Sequence, residues 1–142
     1  AAGIADADSG EFNEICKHKV IDFMPDQSDE INKGGTLRLG EYPCEIAPGT
    51  TMERCYGTSR ISERHRHRFE FNNDFRQALS DGGLTICGVS PDGRLVEAVE
   101  ITPHPFFIGV QFHPEFKSRP NRPHPLFRGF VAAALELFEP RG

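Results

Sequence analysis

The pattern of apolar and polar residues predicts many short strands and few helices. Leu126 to Phe138 places apolar side chains at helical spacing and predicts a C-terminal amphipathic helix. A shorter helix is predicted over Asn73 to Ser80, because Asn72 or Asn73 supplies an N-cap and Gly82-Gly83 supplies a stop. Strands are predicted at Lys19 to Phe23, Thr36 to Leu39, Tyr42 to Ile46, Arg64 to Phe71, Leu84 to Ser90, Leu95 to Ile101 and Phe107 to Phe112.

The turn Pro91-Asp92-Gly93-Arg94 lies between two of these predicted strands. Leu84 to Ile101 should therefore form a hairpin. The chain has 142 residues, which is the length of one domain. So many strands with so few helices predict a mixed sheet that lacks several of its covering helices, and we therefore expect an incomplete α/β domain.

Composition and charge exclude several classes of protein. The net charge is -5, with 16 Lys and Arg against 21 Asp and Glu, which disfavours binding to a nucleic-acid backbone. The apolar runs are far shorter than the roughly 18 residues of a membrane span, and the first residues do not resemble a signal peptide. We expect neither a nucleic-acid nor a membrane partner.

The four cysteines show no closely spaced pair, which disfavours a zinc knuckle or a disulfide framework. They are Cys16, Cys44, Cys55 and Cys87. A reduced, cytoplasmic location is therefore expected.

A histidine and a carboxylate follow the apolar run that begins at Phe106. Open α/β sheets place their chemistry at strand ends. Pro114 favours an extended conformation at His113, in which Glu115 would project to the same side and reach the imidazole. Such a pair can act as a general base and its orienting carboxylate, and it then needs a nucleophile. From the spacing alone, a surface loop with an unrelated His and Glu is an equal alternative.

Further motifs occur in order along the chain: Ser9-Gly10-Glu11-Phe12, Gly34 to Gly40, Glu63 to Glu70, Leu95-Val96-Glu97, His104 to Phe107, Val110 to Pro120 and His124 to Phe130. Together they closely resemble the C-terminal glutamine amidotransferase domain of the CTP synthase family. H-P-E alone is typical of triad-type amidotransferases, whereas E-R-H-R-H-R and G-G-T-x-R-L-G are more specific to this family. The resemblance covers nearly the whole chain.

The resemblance implies the C-terminal part of a flavodoxin-like, class I glutamine amidotransferase fold, with a mixed sheet and flanking helices. In a Cys-His-Glu triad that hydrolyses glutamine, His113 would be the base and Glu115 its orienter. Glu11 and Arg68 match positions that bind L-glutamine. This is physically reasonable, because a zwitterion needs an anion near its ammonium group and a planar donor near its carboxylate. The alternative for Arg68 is a solvated strand residue.

The resemblance also implies partners and cofactors outside this chain. Ammonia would pass to a synthase domain that aminates UTP, and ATP, Mg and an activating GTP would bind the complete enzyme, with no cofactor in this chain. The synthase domain and the N-terminal half of the amidotransferase domain are expected partners, in an oligomer.

One departure concerns the nucleophile, which in this family lies on a G-x-C-x-G turn upstream of the segment that resembles Ser9 to Phe12. None of the four cysteines has that setting, and Cys87-Gly88 is the nearest approximation. We therefore expect residues 1–142 to be the C-terminal portion of such a domain, inactive by itself. The alternative is a non-catalytic partner or regulatory module that retained the fold.

A metal site is a further alternative. His65 and His67 alternate on one predicted strand face, and His104, His113 and His124 could add ligands. The spacing fits no zinc-binding motif, and the neighbouring arginines would repel a cation. We expect no metal site.

Overall fold

The computed structural model describes residues 2–23 and 38–138, and all structural statements below refer to these residues. Residues 34–37, which include part of one motif and the start of the predicted strand Thr36 to Leu39, lie outside the described residues. The strands are β1 (Ala7–Ser9), β2 (His18–Phe23), β3 (Arg38–Ile46), β4 (Arg60–His67), β5 (Phe69–Phe71), β6 (Thr85–Val89), β7 (Val96–Glu100) and β8 (Ile108–Val110). The helices are α1 (Thr51–Tyr56), α2 (Arg76–Asp81) and α3 (Pro125–Phe138), and 3₁₀ turns cover Asn73–Phe75 and Pro114–Phe116.

The strands form two sheets. The small sheet has the order β1-β2-β5, with β1 parallel to β2 and β5 antiparallel to it. The large sheet has the order β4-β3-β6-β7-β8 and its paired strands are antiparallel. Only two residues of β3 pair with β6, so the β3–β4 hairpin can turn away from β6. The backbone N–H of His113, beyond β8, donates to the carbonyl of Arg64 in β4 at 2.9 Å, which brings the two outer strands of the large sheet together at His113.

The apolar core joins β3, β6 and β7 to α1 and α3. It consists of Cys44, Ile46, Met52, Cys87, Ala98, Phe112 and Leu126. Gly88 lies at a crowded point of this core, because a Cβ atom there would be 2.9 Å from Cys44 Sγ and 3.0 Å from Ala98 Cβ. Close packing of the strands therefore requires a glycine after Cys87.

Helix α1 was missed by the sequence prediction, as was the three-residue strand β1. The N-cap of α1 is Thr50, whose side chain accepts a hydrogen bond from the backbone N–H of Glu53. Glu100 of β7 accepts hydrogen bonds from the N–H groups of Thr51 at 3.0 Å and Met52 at 3.1 Å. A buried carboxylate from a distant strand thus satisfies the first N–H groups of this short helix.

The C-terminal helix, the short helical segment after Asn72 and the β6–β7 hairpin are confirmed. The hairpin turn is closed by a 2.9 Å bond from the N–H of Ser90 to the carbonyl of Leu95. The continuous strand predicted over Arg64 to Phe71 is wrong, because the chain divides at Arg68 into β4 and β5, which belong to different sheets. The predicted break before Tyr42 is also wrong, since β3 continues through it.

Helix α3 packs against α1 and leaves much of its apolar surface exposed. The two helices approach closely at Gly129, where a Cβ atom would be 2.5 Å from Cys55 Sγ. Several large apolar side chains of α3 are 55–86% exposed: Phe130, Val131, Leu135, Leu137 and Phe138. An uncovered apolar face of this kind is typical of a protein interface. Among the helices of the described residues, none has the length and hydropathy needed to cross a membrane.

Candidate functional site

His113 and Glu115 contact each other through a short turn. His113 is the N-cap of the 3₁₀ turn Pro114–Phe116, and Glu115 Oε1 lies 2.7 Å from His113 Nδ1. If Nδ1 carries the proton and donates it to the carboxylate, Nε2 keeps its lone pair. The hydrogen bond from His113 lowers the pKa of Glu115, so the carboxylate is ionised at neutral pH. The structure therefore shows the contact expected from the sequence: His113 is extended as predicted, and the 3₁₀ turn after it brings Glu115 to the imidazole.

The His113 ring is fixed by contacts on several sides. Its backbone N–H is bound to Arg64 of β4, and its ring stacks on Phe116 with centroids 4.7 Å apart and an interplanar angle of 15°. The side chain is still 37% exposed. The imidazole is thus oriented by this chain and accessible to a group from outside it.

Glu11 and Arg68 lie at the same end of the small sheet. Glu11 follows the end of β1, which runs parallel to β2. Arg68 immediately precedes β5, which runs antiparallel to β2. The ends of β1 and β2 and the start of β5 therefore lie at one end of the sheet, and both side chains are exposed there.

Strand β4 connects this end of the small sheet to His113. The carbonyl of Arg64 binds the backbone of His113, and Arg68 follows the end of the same strand. At about 3.3 Å per residue, the four residue steps from Arg64 to Arg68 correspond to at most about 13 Å of chain. The strand therefore fixes the spacing between the His113 imidazole and the end of the small sheet at which Arg68 lies.

Burial raises the pKa of three of the four described cysteines, which disfavours them as nucleophiles for His113. Cys44 and Cys87 are fully buried, and burial raises the pKa of each thiol to about 12. Burial also raises the pKa of Cys55, and Cys16 lies in the loop between β1 and β2. The Cys87 thiol contacts the sulfur of Met52 at 3.7 Å within the core. The likeness of Cys87-Gly88 to a nucleophile turn therefore reflects strand packing.

A set of buried polar residues joins the two sheets, and sequence reasoning missed it as a unit. This buried polar cluster consists of Arg38, His65, His67, Glu70, Glu97 and Gln111. Arg38 Nη1 lies 2.7 Å from Glu97 Oε1, and Gln111 Nε2 donates to Glu70 Oε2 at 2.9 Å. Burial raises the pKa of Glu70 to about 7 and also raises the pKa of Glu97. Burial lowers the pKa of His65 to about 3 and lowers that of His67 as well.

The alternating histidines that suggested metal ligands belong to this cluster. Within residues 2–23 and 38–138 no group of three or more His, Cys, Asp or Glu side chains has a geometry suited to a metal ion. The ring nitrogens of His65 and His67 face each other at 2.8 Å, as in a hydrogen bond between neutral rings.

A second buried group connects α1, β4 and the start of α3. Glu63 Oε1 accepts hydrogen bonds from the Tyr56 hydroxyl at 2.8 Å and from His124 Nε2 at 2.9 Å. His124 Nδ1 accepts a bond from the N–H of Leu126 at 3.3 Å, which assigns the ring proton to Nε2. This group anchors the middle of β4, where Glu63 is next to Arg64.

Comparisons with known proteins agree with this arrangement. The model of the glutamine amidotransferase class-I family matches residues 8–133. The CTP synthase of Roseiflexus castenholzii is 60% identical over 132 residues, which are 93% of this chain and 24% of that protein. The CTP synthase of Herpetosiphon aurantiacus is 62% identical over 136 residues, which are 96% of this chain and 26% of that protein. The chain thus spans about a quarter of the length of these curated relatives.

A solved structure extends the similarity to the fold. The glutaminase domain of Trypanosoma brucei CTPS with bound acivicin superposes with a TM-score of 0.87 at 37% identity. The match covers 96% of this chain and 53% of that domain. The expected mixed α/β fold and the resemblance to CTP synthases are confirmed. Because the family model covers most of the chain, the chain belongs to the class-I glutamine amidotransferase family.

Proposed function

We propose that this chain supplies the general base and the glutamine-binding residues of a CTP synthase glutaminase. The observation that carries the proposal is the 2.7 Å contact between His113 Nδ1 and Glu115 Oε1, on a ring that is fixed on several sides and exposed on another. The similarity to CTP synthases supplies the reaction: ammonia released from glutamine aminates UTP to CTP with ATP.

The geometry suits acid–base catalysis by His113. A thiol from another segment would transfer its proton to Nε2 and attack the side-chain amide of glutamine. His113 would then return that proton to the leaving ammonia, and would later take a proton from the water that hydrolyses the thioester. Glu115 would stabilise the imidazolium that forms in each step. The described cysteines are poor candidates for the thiol, and we therefore propose that the chain alone does not hydrolyse glutamine.

Glu11 and Arg68 are proposed to bind the two charged groups of glutamine. Their position at the same end of the small sheet and their exposure support this role. The Glu11 carboxylate would bind the ammonium group, and the Arg68 guanidinium would bind the carboxylate with two parallel hydrogen bonds. A desolvated pair of this kind contributes on the order of 2–5 kcal/mol, whereas an exposed pair contributes less than about 1 kcal/mol.

The remaining steps are proposed for other parts of the enzyme. UTP, ATP, Mg²⁺ and the activating GTP would be bound outside the residues assigned here. The exposed apolar face of α3 supports contact with further protein, such as the other half of the glutaminase domain.

The test uses a complete enzyme that contains this segment. His113→Ala and Glu115→Gln should lower glutamine-dependent CTP formation, by about 10²- to 10⁴-fold for His113 and less for Glu115, which acts only through it. Both should retain CTP formation from free ammonia, because ammonia bypasses glutamine hydrolysis. The exposed His104 supplies the control variant His104→Ala, which should leave both activities unchanged.

Three results would contradict this proposal. Loss of the ammonia-dependent activity together with the glutamine-dependent one would make His113 and Glu115 structural residues. A complete protein that releases no ammonia from glutamine, with His113 intact, would favour a non-catalytic module. Ammonia release by the isolated chain that disappears on His113→Ala would show that one of its own cysteines is the nucleophile.

A further inference from the structure

The turn that carries Arg68 is closed by a side chain. His67 Nδ1 lies 3.0 Å from the carbonyl oxygen of Phe69, so a hydrogen bond joins the two residues that flank Arg68. The His67 side chain is only 15% exposed, whereas Arg68 points into solvent. The direction of the Arg68 side chain therefore depends on the orientation of the His67 ring.

The hydrogen bonds assign the protons of both histidine rings. A carbonyl oxygen can only accept, so His67 Nδ1 carries the proton and its Nε2 is an acceptor. His65 Nδ1 lies 2.8 Å from that Nε2 and must be the donor. Both neutral rings are consequently the Nδ1–H tautomer, with every hydrogen bond directed from His65 through His67 to Phe69.

The other side of the His65 ring faces Glu97 of β7. His65 Nε2 and Glu97 Oε2 are both buried and face each other at 3.8 Å, without another hydrogen-bond partner in the described structure. In the assigned tautomer both atoms are acceptors, which explains why they do not approach more closely. Arg38 holds the second oxygen of Glu97 at 2.7 Å and so keeps this carboxylate in place.

The same cluster extends to the segment of His113. Glu70, next to Phe69, accepts a hydrogen bond from Gln111, which precedes His113 by two residues. Phe112, between them, packs its ring against His65 with centroids 5.9 Å apart. The charged and titratable groups that act on the two rings are Arg38, Glu70, Glu97 and His113. The cluster therefore connects the Arg68 turn with the base.

We propose that His65 and His67 are positioning residues for substrate recognition, which hold the Arg68 turn in the orientation that binds the glutamine carboxylate. The proposal rests on the proposed function in one respect, the contact between Arg68 and the substrate. Neither histidine touches the substrate, and both act through the backbone on either side of Arg68.

The first test is the ¹⁵N NMR spectrum of the histidine rings in the chain itself at neutral pH, with each signal assigned by the loss that a single His→Asn variant causes. His65 and His67 should both show a protonated Nδ1 and an unprotonated Nε2. An Nε2–H tautomer at His67 would overturn the proposal, because such a ring cannot donate to the carbonyl of Phe69.

The second test uses glutamine kinetics in a complete enzyme that contains this segment. His67→Phe keeps an aromatic ring and removes the donor, and it should raise the glutamine KM by about 10- to 100-fold while kcat changes little. His67→Asn keeps an amide N–H close to the position of Nδ1 and should restore most of the affinity. The matched control is His104→Phe, because His104 also bonds the backbone two residues away, at Phe106, but lies outside the cluster.

Arg68→Ala, measured in parallel, distinguishes failure of the positioning role from failure of the proposed substrate contact. If Arg68→Ala raises the glutamine KM and His67→Phe does not, the positioning role is wrong and the proposed function stands. If Arg68→Ala leaves the glutamine kinetics unchanged, the assigned substrate contact fails and the positioning role fails with it. If His67→Phe and His67→Asn lower the melting temperature equally and change KM equally, the histidine is merely structural.

Discussion

The carboxyl group of Glu70 allows the buried polar cluster to be tested through the pH dependence of stability. Burial raises its pKa to about 7, from an ordinary value of 4.5. Between these values the folded protein binds a proton that the unfolded chain releases. The stability that this proton contributes is complete below pH 4.5 and is lost as the pH rises through 7. At about 1.4 kcal/mol per pH unit, the loss over the window is about 3 kcal/mol.

The histidines of the cluster have the opposite effect. Burial lowers the pKa of His65 from 6.5 to about 3 and lowers that of His67 in the same direction. Their contribution is complete above pH 6.5 and is lost as the pH falls, because the unfolded chain then binds protons that the folded state excludes. Glu97, whose pKa is also raised by burial, acts in the same direction as Glu70. Between pH 4.5 and 6.5 the two effects oppose each other, and the free energy of unfolding of the wild type should change little.

Glu70→Gln should remove the carboxyl group whose pH effect on the free energy of unfolding opposes that of the histidines. The amide keeps an oxygen that can accept the hydrogen bond from Gln111, but it no longer titrates. The free energy of unfolding should then rise with pH by about 1.4 kcal/mol per unit, or about 3 kcal/mol between pH 4.5 and 6.5. Urea unfolding at several pH values, at constant ionic strength and protein concentration, measures this slope. Glu45→Gln makes the same charge change at an exposed position of β3 and should follow the wild type. Parallel profiles for Glu70→Gln and the wild type would refute the reasoning.

Two further predictions concern packing and assembly. Gly88→Ala should lower the free energy of unfolding by about 1–3 kcal/mol, because the new methyl group would lie 2.9 Å from Cys44 Sγ, and urea unfolding measures this loss. Gly109→Ala, 3.3 Å from one methyl group of Val99, should cost less, and equal costs would contradict the steric argument. The isolated chain should self-associate at micromolar concentration through the exposed face of α3. A sedimentation experiment that finds a stable, cooperatively unfolding monomer would show that this face needs no partner.

The sequence predicted those elements whose stabilising contacts are close along the chain. The β6–β7 hairpin is closed by a turn of local residues, and Asn72 caps its own 3₁₀ turn through the N–H of Asp74. The contact between His113 and Glu115 spans two residues. Such signals lie within one turn or one helix, and they can be recognised without knowledge of the tertiary structure.

The elements that were missed depend on contacts between distant parts of the chain. Helix α1 has six residues, and its first N–H groups bind Glu100, which is 48 and 49 positions away. At Arg68, where the predicted strand divides, the ring of His67 bonds the carbonyl of Phe69 and contacts the ring of His65. The alternation of histidine and arginine in β4 was visible in the sequence, but the acidic partner Glu97 lies on another strand. Alternation alone could not distinguish a metal ligand from a positioning residue.

Buried charges also explain how a small apolar core can hold a precise site. Burying an ionised or ionisable group costs free energy, and an ion pair in the interior often contributes little net stability. A buried carboxylate instead fixes the relative orientation of the elements that it joins by hydrogen bonds. Glu100 connects β7 to α1, Glu97 connects β7 to β3, Glu63 connects β4 to α1, and Glu70 connects β5 to the segment of His113. Among these contacts, that of Glu70 joins β5, which follows Arg68, to the segment of His113, whereas the exposed apolar residues of α3 remain available for contact with further protein.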